Sequence, residues 1–184
     1  MKNKIDWEKL AIKVGAIQGG NESGSGIFAC KAIEELIGVQ NIRDAVDYYI
    51  NGGAGSELAR YVIWNIHPWS AMEYCYEIYK SNTEIERKIL AVELLRVAAD
   101  ERAIPWIKEF LLDSTSQIRG WGFGIVDQLL WSKLVDEDDM SELLELAESI
   151  DDDYLIDRVE YVRGYLKLRK RNEKAIQELP EFKP

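Results

Sequence analysis

One histidine, His67, and two cysteines, Cys30 and Cys75, are the whole supply of imidazole and thiol in 184 residues. A zinc centre needs three or four such ligands, and a Ser–His or Cys–His nucleophile needs an imidazole beside it. His67 precedes Pro68, where extended backbone is favoured, so it is expected to lead into a helix rather than bind an ion. Cys30 and Cys75 lie among apolar neighbours and are too few for a disulfide framework, so both are expected as buried thiols. The run GGNESGSG, Gly19 to Gly26, has no Gly-Lys-Ser/Thr after it and no strand before it. It fits neither a P-loop nor a dinucleotide fingerprint and is expected to be a flexible hairpin loop. Asp136, Glu137, Asp138 and Asp139 lack the turn glycine and closing glutamate of a calcium loop. No catalytic residue, metal or cofactor is therefore expected.

Charge offers more. The chain carries a net −10, and from Asp136 to Glu160 twelve acids stand against the single base Arg158. Outside that stretch 21 acids nearly balance 22 bases. A nucleic-acid reader needs a net basic face, so nucleic acid is not the expected partner. An acidic patch attracts and steers a basic protein. Acids at a helix start complement its dipole. That explains only part of a pattern in which Asp136–Asp139 and Asp151–Asp153 open two successive helices, with Glu142, Glu145, Glu148, Asp157 and Glu160 following.

Helical periodicity dominates the elements that must position these groups, and strand-type alternation is almost absent. Ten helices are expected. The first runs from the Asp6 cap to about Gln18, the second from Ile27 to Ile37, and the third opens at an Asn41 cap. The fourth begins at Ser56, the fifth at Pro68, and the sixth at a Thr83-x-x-Glu86 capping box. The seventh begins at Asp100, the eighth spans Ser114 or Thr115 to Trp131, the ninth Asp136 to Ile150, and the tenth Asp153 to Arg171. Residues 172–184 are expected to fray. No apolar run is long enough to span a bilayer, and MKNKIDWEKL lacks the apolar stretch of a signal peptide, so a cytoplasmic protein with no membrane partner is expected.

Two aromatic rows stand out on these helices. In the eighth, Ile118, Gly122, Ile125 and Leu129 make an apolar stripe, while Gln117, Trp121, Gly124, Gln128 and Trp131 follow another. In the tenth, Tyr154, Arg158, Tyr161 and Tyr165 lie opposite Leu155, Val159, Val162 and Leu166. The fourth helix adds Tyr61 with Trp64 or Asn65. Trp, Tyr and Arg are the common anchors of interfaces, although rings also fill gaps between stacked hairpins, and for Trp121 and Trp131 both readings stand. The residues expected to bind a partner are Trp64, Trp121, Gln128, Trp131, Asp136, Asp138, Asp139, Asp152, Asp153, Asp157, Glu160 and Tyr161.

Hairpin starts near Pro68, Glu101 and Asp136 repeat at 33 and then 35 residues, the mark of a stacked helical array. The unit Glu101–Leu130 resembles a HEAT repeat: Ile107–Leu111 fills its first helix and Asp113 stands at the turn. Ile118-Arg119 opens its second helix, with Gly122 in an alanine position, and Arg60, Arg87 and Arg158 stand similarly early in other second helices. The match is weaker over 68–99, where Ser81-Asn82 replaces the turn aspartate, and faint before 55. The resemblance implies an all-α, right-handed HEAT-like α-solenoid of five antiparallel hairpins in a single domain, 1–184. It also implies pairing of each arginine with a turn aspartate, and second helices lining a concave face. In size and charge the chain is similar to bacterial immunity proteins, which neutralise a cognate toxin, often a basic nuclease, by covering its active site. Acids mimic the phosphates such a toxin holds. The HEAT-like alkylated-base DNA glycosylases offer another reading, with Trp121, Asp127 and Arg119 or Arg158 as the functional set, but the charge has the wrong sign for a duplex. An adaptor or chaperone-type scaffold is the third.

Overall fold

The computed structural model describes residues 4–177, with side chains to Glu173. The chain is all-α apart from one small hairpin. Ten helices are present among the described residues: α1 (Trp7–Val14), α2 (Gly26–Ile37), α3 (Val39–Ile50), α4 (Ser56–Ile66), α5 (Trp69–Ser81), α6 (Ile85–Ala98), α7 (Ile104–Leu111), α8 (Ser116–Trp131), α9 (Glu137–Ser149) and α10 (Asp153–Gln177). Their contacts group them into two compact units, residues 1–100 and 101–184.

In the first unit, α3 packs on α4 and α5 on α6, while α3 also meets α5 and α4 meets α6. The apolar spacing of Ile42, Val46 and Ile50 along α3 puts one stripe inward, against Ile63 and Ile66 of α4 and the fully buried Met72 and Cys75 of α5. Desolvation pushes the Cys75 thiol well above its ordinary pKa of 9.0. Helices α1 and α2 bury no residue completely. Charged groups tie the unit together. Asp47 of α3 accepts from Tyr74 at 2.8 Å and from Arg87 at 3.0 Å, and Arg87 also donates to Asn51 at the end of α3. Burial, and the hydrogen bond and charge of Asp47, raise the Tyr74 pKa. Burial and the facing Glu93 push the Tyr49 hydroxyl up to about 12. Both oxygens of Glu34 accept from the first amides of α5, those of Trp69 and Ser70, so a side chain of α2 caps α5.

Several element boundaries differ from the sequence expectation. Helix α1 stops at Val14 rather than Gln18, because Gly15 adopts the left-handed conformation and returns its N–H to Ala11 and Ile12. The expected loop holds a two-residue antiparallel ladder, β1 (Ile17–Gln18) and β2 (Asn21–Glu22). Gly19 and Gly20, with φ of +56° and +81°, supply the two positive angles of a tight hairpin turn. Helix α3 starts at Val39, and Asn41 does not cap it but donates to the Ile37 carbonyl. The Thr83–Glu86 box does not form: Glu84 is the N-cap, and an Asx turn from Asn82 to the Glu84 amide leads into α6. His67 is not extended before its proline but left-handed, φ +42°, closing α4. Its Nδ1 lies 2.9 Å from the Ala98 carbonyl, a contact that holds the ring in place. Helix α10 continues past Arg171 to Gln177, so the expected fray at 172–177 is helical, and 178–184 lie outside the described residues.

In the second unit, a 3-10 turn (Glu101–Ala103) precedes α7, whose second residue is Pro105. Helix α7 packs on α8 and on α9, and α10 packs on α8 and α9. Ile118, Gly122, Ile125 and Leu129 are buried as their spacing predicts, and Phe123, Val126 and Leu130 widen the buried face. Gly122 lets the two backbones of α7 and α8 close in: a Cβ there would stand 2.4 Å from the Cβ of Phe110. This position therefore requires glycine. On α10, Leu155, Val159, Val162 and Leu166 are buried.

Candidate functional site

The aromatic rows of α8 and α10 come together within the second unit. A Cβ on Gly120 would lie 3.1 Å from the Tyr154 ring, Asp127 forms an ion pair with Arg158, and Trp131 stacks on Tyr165 at 4.3 Å between centroids and 25° between planes. These contacts advance together along both helices, so α8 and α10 run in the same direction. The Arg158 guanidinium also lies 5.0 Å from the Tyr161 ring centre, a cation–π contact. Trp131, Tyr154 and Tyr161 remain about half exposed, at 54%, 54% and 55%. Trp121 and Gln128 are half-buried, and Gln128 donates to Ser132. Trp64 belongs to the first unit, where it is 45% exposed and meets Tyr61 edge-on at 5.6 Å.

The acids expected to form one binding patch divide into two groups. Some are consumed by the fold. Asp136 caps α9 and Asp139 answers it in a capping box, with the Asp136 amide donating to Asp139 at 3.1 Å. Asp136 also meets Arg169 at 3.5 Å, Glu137 meets Lys170 at 2.6 Å, and Glu148 meets Arg163 at 3.0 Å. The Glu137 bond raises the Lys170 pKa.

Asp152 is the most committed of them. Its side chain is 7% exposed, and it accepts from Nη2 and Nε of Arg119 at 2.5 and 3.1 Å and from Ser116 at 3.0 Å. It also caps α10 through the Leu155 amide. The Arg119 bonds hold its carboxyl below the ordinary 3.8. Arg119 reaches at the same time to the carbonyls of Asp113 and Ser114, so one guanidinium fastens the α7–α8 turn to the α9–α10 turn. The Asp113 carboxylate itself accepts from the Thr115 amide. Asp152, expected on a binding surface, is thus committed to a clamp between two turns.

The other group stays in solvent. Asp138, Glu142, Glu145, Asp151, Asp153, Asp157 and Glu160 are exposed and make no ion pair among the described residues. Asp138, Glu142 and Glu145 share one face of α9, and Asp153, Asp157 and Glu160 share one face of α10 beside Tyr161. The neighbours of Asp152 and Asp153 in sequence gave no sign of this division, because adjacent helical positions point about 100° apart.

Of the glycosylase-like set, Asp127 is paired with Arg158, while Arg119 is paired with Asp152 outside the set. No group of three or more His, Cys, Asp or Glu among the described residues is placed to hold a metal ion. No described helix is long and apolar enough to cross a membrane. No protein-family model, curated protein or solved structure matches this chain.

Proposed function

We propose that the chain is a non-catalytic protein-binding scaffold, an immunity protein that captures a basic toxin domain such as a nuclease in the cytoplasm. The observation that carries this reading is the set of six exposed acids on α9 and α10, with Asp151 in the turn between them, that form no ion pair among the described residues. Holding like charges together costs stability, and helix-end chemistry already has Asp136, Asp139 and Asp152. A surface kept acidic beside half-exposed Tyr and Trp rings suits a basic, partly apolar partner. The parallel packing of α8 and α10, and an arginine that joins two successive turns, support a HEAT-like solenoid as the scaffold. They are the relations that stacked helical hairpins produce.

The test compares two baits from the native host. Wild-type chain is expected to retain a basic protein in low salt and release it in high salt. The triple variant Asp138→Asn, Asp153→Asn, Asp157→Asn is expected to lose it while melting like wild type. Equal retention by both baits, or retention of nucleic acid in place of protein, overturns the reading.

A further inference from the structure

Gly164 lies in the interior of the 25-residue α10, in helical conformation and exposed, and a Cβ there would meet nothing within 4 Å. Neither backbone angle nor packing among the described residues asks for glycine, and an exposed mid-helix glycine gives up helix stability relative to alanine. What remains is the use glycine has wherever another backbone must come close. The residues around it on the same face are arranged about it. Tyr161 and Leu168 flank it, 55% and 59% exposed. Asp157 and Glu160 lie on its N-terminal side, Lys167 and Arg171 on its C-terminal side, all four exposed and without an ion pair among the described residues.

We propose that this face of α10 pairs with the same face of a second copy, the two helices antiparallel about a two-fold axis at Gly164. In such a pair the residue n positions before Gly164 meets the residue n positions after it. Asp157 then faces Arg171 of the other copy, twice by symmetry, and Glu160 faces the Lys167–Leu168 step. Tyr161 lies over the Lys167 stem, where its ring also meets the ammonium. The glycines cross where the backbones are nearest. A parallel pair would set Asp157 against Asp157 and Lys167 against Lys167, so the charge order of the helix selects the antiparallel one. The self-complementary pattern fits an isologous contact, in which one patch serves both sides. The contact is short, which places it among weak, concentration-dependent interfaces.

The test uses the purified chain alone, so it stands or falls separately from partner capture. Sedimentation equilibrium across the micromolar range is expected to show monomer and dimer, with the dimer weakened by salt. Gly164→Gln improves helix propensity and should raise the melting temperature, yet its side chain fills the crossing point and should weaken dimerisation at least about tenfold. Asp157→Arg and Arg171→Asp should each lose the dimer, and an equimolar mixture of the two should regain it as a heterodimer. A wild-type chain monomeric at every concentration, a Gly164→Gln dimer as tight as wild type, or a mixture that does not associate overturns the proposal.

Discussion

Replacing Asp152 by Asn should destabilise the second unit by about 2 to 3 kcal/mol. The figure lies between exposed ion pairs, worth about 1 kcal/mol or less, and buried ones, whose breaking costs about 3 to 5 kcal/mol. The side chains of Asp152 and Arg119 are 7% and 17% exposed, nearer the buried case. Arg119 keeps two carbonyl acceptors, those of Asp113 and Ser114, which softens the loss. Urea denaturation followed by circular dichroism at neutral pH reads the difference. Its pH dependence has a definite sign. The folded carboxyl titrates below the ordinary 3.8, so the pair's contribution is fully present above that value and is lost as pH falls through the folded pKa. The gap between wild type and variant should therefore be constant from pH 7 to 5 and narrow below pH 3.8. A gap under about 0.5 kcal/mol, the range of ordinary surface changes, would refute the clamp. So would a gap that stayed constant into strong acid.

Three further outcomes follow from the geometry. Gly122→Ala should cost about 3 kcal/mol or more, since a Cβ 2.4 Å from that of Phe110 forces α7 and α8 apart; the loss is read as a lowered melting temperature. Trp131→Ala should cost only about 1 kcal/mol of stability, because the ring is 54% exposed and its main contact is the stack on Tyr165, but it should shorten the lifetime of a partner complex measured by surface plasmon resonance. Tyr49 should remain largely protonated at pH 11, and the stability it contributes should be lost as pH rises from about 10 to about 12. Ultraviolet titration of wild type against Tyr49→Phe checks it: equal counts of phenolate at pH 11 are expected, and one phenolate more in wild type would contradict the assignment.

The helices were legible because their punctuation is strong. Gly38, Gly52-Gly53, Pro68 and Asp136 stand at or beside real ends, and the buried stripes of α8 and α10 follow the 3.6-residue period. The failures share a physical origin. Gly15 and Gly19-Gly20 decide the backbone by sign of φ, which composition does not show. Thr83 has the right spacing for a box, but Asn82 accepts from the Glu84 amide and the helix starts one residue later, with Glu84 as N-cap. The acids of 136–160 are recognisable in the sequence as a cluster and not as individuals. Whether an aspartate meets solvent or Arg119 depends on a turn some 33 residues away, and no local pattern encodes that. Glu34, which caps α5 from another helix, gave no local signal either.

Both thiols of the chain lie in the first unit, and the second has none. Cys75 is fully enclosed, so a thiol reagent reaches it only when the helices around it part, whereas half-buried Cys30 stands nearer the surface. The chain therefore carries its own clock for one half of the molecule. In a pulse of reagent, the slow labelling step times the opening of residues 1–100, and in a chain with Trp7, Trp64 and Trp69 replaced by Phe the fluorescence of Trp106, Trp121 and Trp131 reports the other half. Labelling and fluorescence that change at one common rate would mean the two units open as one. Two rates would mean that each keeps its own time.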